Sequence, residues 1–183
     1  MTDPTTYQDR ELVAMIHAGQ TDAEKAFRVL YNRYVKRLYL YCLKIMGSQA
    51  TARDIVQDVF LKFLIKVREG EIIESTPAYL MTIARNLCLN QRRNGRIEYM
   101  DLEDIMPATE DHPYETKDIH AHLQTAMAAL PTAYRETLIL QIYGGLSYAE
   151  ICEVTGETLP VVRHRISRAK QKLRTLLLPI LEH

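Results

Sequence analysis

At 183 residues, 47% of them hydrophobic, the chain is long enough for one ordinary domain or two small ones and too apolar for a disordered tail. No apolar run reaches the ~18 residues that a membrane span needs, the polar start MTDPTTYQDRE is no signal peptide, and three dispersed cysteines without a CxxC exclude a disulfide framework and the usual zinc spacings. The formal net charge of zero conceals two acid-free basic stretches, 85–96 with four arginines and 161–178 with six Lys or Arg, on either side of an acidic segment, 98–118, that sets eight Asp or Glu against Lys117 alone.

The pattern predicts helices throughout, hence an all-α protein. A short helix is expected over about 8–18. Thr21 and Glu24 form a capping box, after which Phe27, Leu30, Tyr31, Tyr34, Leu38, Tyr41, Cys42 and Ile45 recur at helical spacing until Gly47. A second long helix should run from Ser48 to about Arg68. A third should open with Thr76 as the cap and Pro77 at the first helical position, ending near Asn94. Residues 96–117, with two prolines and no periodic hydrophobics, read as an acidic linker between a first domain over 8–95 and a second over 118–183. His112, His120 and His122 lie close in sequence without helix-spaced carboxylate partners and read as surface histidines, so no metal or other cofactor is expected.

The second domain turns at Leu130-Pro131, continues in an apolar helix through Leu138, Ile139, Leu140 and Ile142, and breaks at Gly144-Gly145. Ser147 and Glu150 form another capping box, opening a helix of two turns before Gly156, and Thr158 can cap the next helix. A short helix, a tight glycine turn and a longer basic helix make a helix-turn-helix, whose second helix enters the major groove. In that helix Val162, Ile166, Ala169, Leu173, Leu176 and Leu177 form a core stripe. Pro160, His164, Ser167 and Gln171 point the opposite way, flanked by Arg165, Arg168 and Lys172 on one side and Arg163, Lys170 and Arg174 on the other. Cations on the flanks suit phosphates, and the outermost residues near the helix start suit base edges.

Two faces of the first domain are unusual. Opposite the core stripe Val56, Val59, Phe60, Phe63 and Val67, the residues Asp54, Asp58, Leu61 and Ile65 align. Two carboxylates beside exposed apolar residues fit a partner surface that is basic with apolar gaps, unless Leu61 and Ile65 pack on another helix of the bundle. The third helix should bury Leu80, Ile83, Ala84 and Leu87 and send Thr82, Arg85, Asn86, Leu89, Arg92, Arg93 and Arg96 outward, a set able to grip a phosphate backbone and an unstacked base. Tyr79 is either core or a stacking surface.

The blocks DIVQDVFLKF (54–63), PAYLMTIARNLCLNQRR (77–93) and LSYAEICEVTGETLPVVRHRISRAKQKLR (146–174) resemble, in order and spacing, the signatures of extracytoplasmic-function sigma factors of the sigma-70 family. The resemblance implies two small helical domains, region 2 and a region 4 helix-turn-helix, in a cytoplasmic, non-enzymatic factor whose partners are core RNA polymerase, promoter DNA and an anti-sigma factor. It implies that Asp54, Gln57, Asp58 and Leu61 bind the polymerase, that Tyr79, Arg85, Asn86, Asn90, Arg92 and Arg93 serve the −10 element, and that Val161, Arg163, His164, Arg165, Arg168 and Lys172 serve the −35 element. The flipped −10 base is expected beside the loop at about 69–76, and the acidic linker in the polymerase's nucleic-acid channel.

The sequence departs from the family at Tyr79, where Trp is common, and at Thr155 and Glu157, where apolar residues usually pack the turn. Pro160 and Val161 replace a frequent Gly-Thr pair, and His164 a small polar residue, which implies an unusual −35 preference. The alternative is a two-domain helix-turn-helix repressor or activator that acts without core polymerase. An adaptor using only the Asp54 and Asp58 face leaves the basic runs unexplained, and no glycine-rich phosphate loop or nucleophile motif indicates an enzyme.

Overall fold

The computed structural model describes residues 6–19, 22–93 and 115–181, apart from the side chains of 115–120 and 180–181, and every regular element among them is an α-helix. In chain order these are α1 (Asp9–His17), α2 (Ala23–Met46), α3 (Gln49–Arg68), α4 (Thr76–Arg93), α5 (Glu115–Ala128), α6 (Thr132–Ile142), α7 (Tyr148–Thr155) and α8 (Leu159–Leu181). None is long and apolar enough to cross a membrane. Most of the segment read as a linker, together with Thr21 of the expected capping box and Arg96, lies outside the described residues.

Local signals set the helix ends. Gly47 closes α2 in the left-handed region, φ +70°, and Ser48 caps α3 by accepting from the Thr51 amide at 3.3 Å. At the start of α2 the residue before the helix is Asp22, which also receives the Lys25 ammonium at 2.9 Å. The cap of α4 differs from expectation. Ser75 takes that role, its Oγ accepting from the Ala78 amide at 3.4 Å, because Thr76 is drawn inside the helix and buried against the core. Similarly, α5 begins at Glu115, inside the segment read as linker.

The first bundle packs α1 to α4 around Leu30, Leu38 and Tyr41 of α2, Val59 and Phe63 of α3, and Leu80 and Ala84 of α4. Each large apolar side chain so enclosed stabilises the fold by about 1.5–3 kcal/mol. A polar clasp adds orientation: the Asp9 carboxylate accepts from both Arg33 and Tyr34, fixing α1 on α2, while His17 Nδ1 meets the Val67 carbonyl at 2.9 Å at the end of α3. Burial and the bond to Asp9 raise the Tyr34 phenol well above its ordinary pKa.

The second bundle sets α5, α6 and α7 against α8, with Leu138, Leu140, Ile151, Val162, Ile166 and Ala169 inside. Arg135 closes the end of α5 by donating to the carbonyls of Ala128, at 2.6 Å, and Leu130, at 3.0 Å. Leu176 of the expected core stripe is exposed, since the stripe of α8 outruns the neighbours that cover it up to Leu173, and Ile142, at the end of α6, is exposed as well. The two bundles are in contact, α4 with α7 and α2 with α6, and one continuous set of buried apolar side chains runs through both.

Candidate polymerase and nucleic-acid interfaces

On α3 the helical period that buries Ile55, Val56, Val59, Phe60, Phe63 and Val67 leaves Asp54, Gln57, Asp58, Leu61 and Ile65 outside. Leu61 is 56% and Ile65 47% exposed, so no other helix of the described bundle covers them. Two carboxylates and two branched aliphatic side chains therefore share one open stripe. Such a surface fits a partner offering cations around apolar gaps.

The face of α4 is rotated from the expected one. Met81 and Cys88 join Leu80 and Ala84 in the core, whereas Ile83 and Leu87 are only partly covered. Asn86, Asn90, Arg92 and Arg93 are exposed as expected, but Thr82 and Arg85 are half-buried. Thr82 Oγ1 donates to the Ala78 carbonyl at 2.8 Å. Arg85 is held by Glu136 of α6 through two bonds, Nε–Oε1 at 2.7 Å and Nη2–Oε2 at 3.3 Å, with 23% of each side chain exposed. The core pulls this residue round toward α6 and away from solvent.

Tyr79 leans on Phe63, ring centroids 6.3 Å apart in an edge-on arrangement, and forms part of the core's margin. It also lines a cleft of about 240 Å³ between the start of α4 and α7, with Ile72, Ser75, Thr82 and Glu153. Burial first, and then a hydrogen bond to Glu71, push its phenol up to about 12. A second, wider cleft of about 590 Å³ opens beside the same loop, between Asp9, Arg10, Arg33 and residues 73–77.

The helix-turn-helix forms as the sequence implies. Ser147 Oγ accepts from the Glu150 amide at 3.3 Å, Glu150 Oε2 accepts from the Ser147 amide at 2.8 Å, and Gly156 ends α7 at φ +72°. The Thr158 carbonyl takes the first bond of α8. At the turn, where the family usually has apolar residues, Thr155 Oγ1 donates to the Ile151 carbonyl at 2.7 Å and accepts from the Glu157 amide at 3.4 Å, and Glu157 Oε1 takes Arg165 Nη2 at 2.7 Å. Polar bonds replace the usual apolar packing.

On the outer side of α8, Arg163, His164, Arg168 and Lys172 are exposed, Val161 is intermediate, and Arg165 is turned back toward Glu157. His164 stands edge-on to Tyr134 of α6, centroids 6.3 Å apart, with Nε2 3.5 Å from the Tyr134 hydroxyl. Sequence reasoning missed Glu136 and Tyr134, which meet their partners only through tertiary packing, and Glu153, which reaches the cleft beside Tyr79 the same way. Glu150 was read as a cap alone, yet its second oxygen also accepts from Ser75 at 3.2 Å.

A helical bundle with an acidic-apolar stripe and a basic helix, followed by a helix-turn-helix, defines a two-module transcription factor. The model for sigma-70 region 2 matches residues 30–97 and that for sigma-70 region 4 matches residues 120–173. The chain is 32% identical to the ECF RNA polymerase sigma factor SigE of Mycolicibacterium smegmatis over 87% of its own length, spanning 64% of that protein, and 30% identical to EcfG of Rhodopseudomonas palustris over 78% of its own length and 80% of that protein. It therefore belongs to the extracytoplasmic-function sigma factors of the sigma-70 family, which are transcription initiation factors and not enzymes. Among solved structures it resembles CnrH bound to the cytosolic domain of CnrY, with TM-score 0.70 and 24% identity over 92% of this chain and 96% of that one. It also resembles RpoE of Bartonella quintana bound to the anti-sigma factor NepR, with TM-score 0.67 and 26% identity over 84% of this chain and 97% of that one.

Proposed function

We propose that this chain binds core RNA polymerase, in the cytoplasm, and directs it to promoters through three surfaces on three helices. Residues 8–95 form the module for polymerase and the −10 element, residues 118–183 the module for the −35 element, and 96–117 join them. Asp54, Gln57, Asp58 and Leu61 of α3 dock the polymerase. Arg92 and Arg93, with Arg85 once released from Glu136, hold the phosphates of the opened −10 strand, while Asn86 and Asn90 hydrogen-bond its bases and Tyr79 offers a ring beside the cleft. Binding energy that exists only for unpaired bases favours the melted state.

On α8, Arg163, Arg168 and Lys172 lie where cations can meet phosphates of the −35 duplex, Val161 and His164 face base edges, and Arg165 completes the set. The single observation that carries this reading over a free-standing helix-turn-helix regulator is the open stripe of α3, where Leu61 and Ile65 stand exposed beside two carboxylates. Since RpoE of Bartonella quintana was solved with the anti-sigma factor NepR, a separate anti-sigma protein is the proposed regulator here as well.

The test is D54K/D58K against core polymerase immobilised on beads. Reversing two charges at a docking surface should weaken retention at least ~100-fold, by ~2.7 kcal/mol or more, while the variant's affinity for duplex DNA in the absence of polymerase is retained. Unchanged retention on the polymerase rejects the α3 assignment.

A further inference from the structure

His164, on the outer face of α8 near its start, is exposed but not unattached. Its ring meets that of Tyr134 of α6 edge-on, centroids 6.3 Å apart, with the Tyr134 hydroxyl 3.5 Å from Nε2. Among the described residues this is the one hydrogen-bonding partner of the imidazole. Tyr134 is itself held at its base. Its amide donates to the Pro131 carbonyl at 2.9 Å, its ring packs half-buried on the core, and its neighbour Arg135 ties the same turn to the carbonyls of Ala128 and Leu130. A stiff aromatic side chain, anchored at one end and polar at the other, can fix the orientation of a second ring.

The chemistry of the pair sets which nitrogen carries the proton. An imidazole nitrogen accepts more strongly than a phenol oxygen, and a phenol O–H donates more strongly than an imidazole N–H, so the favoured bond runs from the Tyr134 hydroxyl to Nε2. In the neutral ring the proton then sits on Nδ1. His164 is left with a donor and no acceptor for a base edge. Without the phenol either tautomer is open, and the ring serves donors and acceptors alike. Nearby cations are engaged elsewhere, Arg165 by Glu157 at 2.7 Å and Arg168 by Gln171 at 3.2 Å, so the imidazole is the oriented group at this turn of α8.

We propose that Tyr134 is a positioning residue that determines specificity: it holds the His164 imidazole with Nδ1 protonated, so that α8 selects guanine over cytosine at one base of the −35 duplex. Guanine presents two acceptors in the major groove, N7 and O6, whereas cytosine presents only a donor. The proposal rests on the −35 reading of α8 given above. Tyr134 acts through the ring it orients and not by touching a base.

The experiment uses the full chain with core polymerase in run-off transcription over a random-promoter library, counting the bases of the −35 element among transcribed templates. Wild type should favour guanine over cytosine at one −35 position by about tenfold. Y134F, which loses only the hydroxyl, should reduce that ratio to about threefold or less and leave the other positions unchanged. H164A should flatten the same position, and Y134F added to H164A should change nothing further. A Y134F profile equal to wild type, where H164A flattens the position, overturns the role of Tyr134 and keeps base reading by His164. An equal loss of output on all sequences in Y134F also overturns it, since that marks a phosphate contact. An H164A profile equal to wild type removes the role of both rings but not the rest of α8, whereas no −35 preference in wild type removes the −35 reading and the proposal together.

Discussion

In the proposed −35 contact Arg165 starts out neutralised, because Glu157, in the turn before α8, accepts from it at 2.7 Å. Replacing Glu157 by Gln leaves the side chain's shape and frees one cation toward the duplex. The log of duplex affinity should then fall more steeply with log salt, by about one in slope, with nonspecific binding tighter at low salt. A filter-binding salt titration checks this. At the tyrosines the consequence is a pH dependence. Burial raises the phenols of Tyr34, Tyr41 and Tyr79 above the ordinary value of 10.0, with Tyr79 pushed up to about 12. Above pH 10 the unfolded chain therefore releases protons that the folded chain keeps, so stability is full below pH 10 and falls as pH rises toward 12. Denaturant midpoints should show that fall, less steeply in Tyr79→Phe. The exposed cations of α8 could be read from the sequence because helical period assigns a face without knowledge of neighbours. Glu157 could not, since it lies in the turn before α8, outside the helical register that places Arg165.

Elements whose ends are set by local chemistry were the most legible. The Ser147 and Glu150 box, Gly156 in the left-handed region and the basic helix after it depend on side chains within four residues of one another, and all three stand as the sequence implies. Ser147→Ala should cost about 1 kcal/mol, and Gly156→Ala about 1–2 kcal/mol because a side chain must take a left-handed backbone; both are read as lowered midpoints in urea. At α4 the local signal was ambiguous, since Ser75 and Thr76 are both capping residues and only burial of Thr76 decides between them. The rotation of that helix has the same origin. Met81 and Cys88 compete with Ile83 and Leu87 for the interior, and the contact with α7 settles it in favour of the side that faces both bundles.

At the scale of the molecule, the sequence separates two modules because each has its own periodic apolar stripe, but it holds no signal that they touch. Arg85 and Glu136 lie 51 residues apart, and each alone reads as an ordinary surface charge. One core running through both bundles makes a prediction about unfolding: Met81→Ala, at the point where α4 meets Gly144, should lower the stability of the whole chain by about 2–5 kcal/mol in a single urea transition followed by circular dichroism.

The most direct test of the central claim is run-off transcription with bacterial core polymerase over a random-promoter library, with and without this protein, sequencing the transcript starts. The account predicts new starts that share elements near −10 and −35, present only when protein and polymerase are combined and absent with D54K/D58K. No new starts with core polymerase, together with specific duplexes retained by the protein alone, would contradict it and leave a helix-turn-helix regulator in its place.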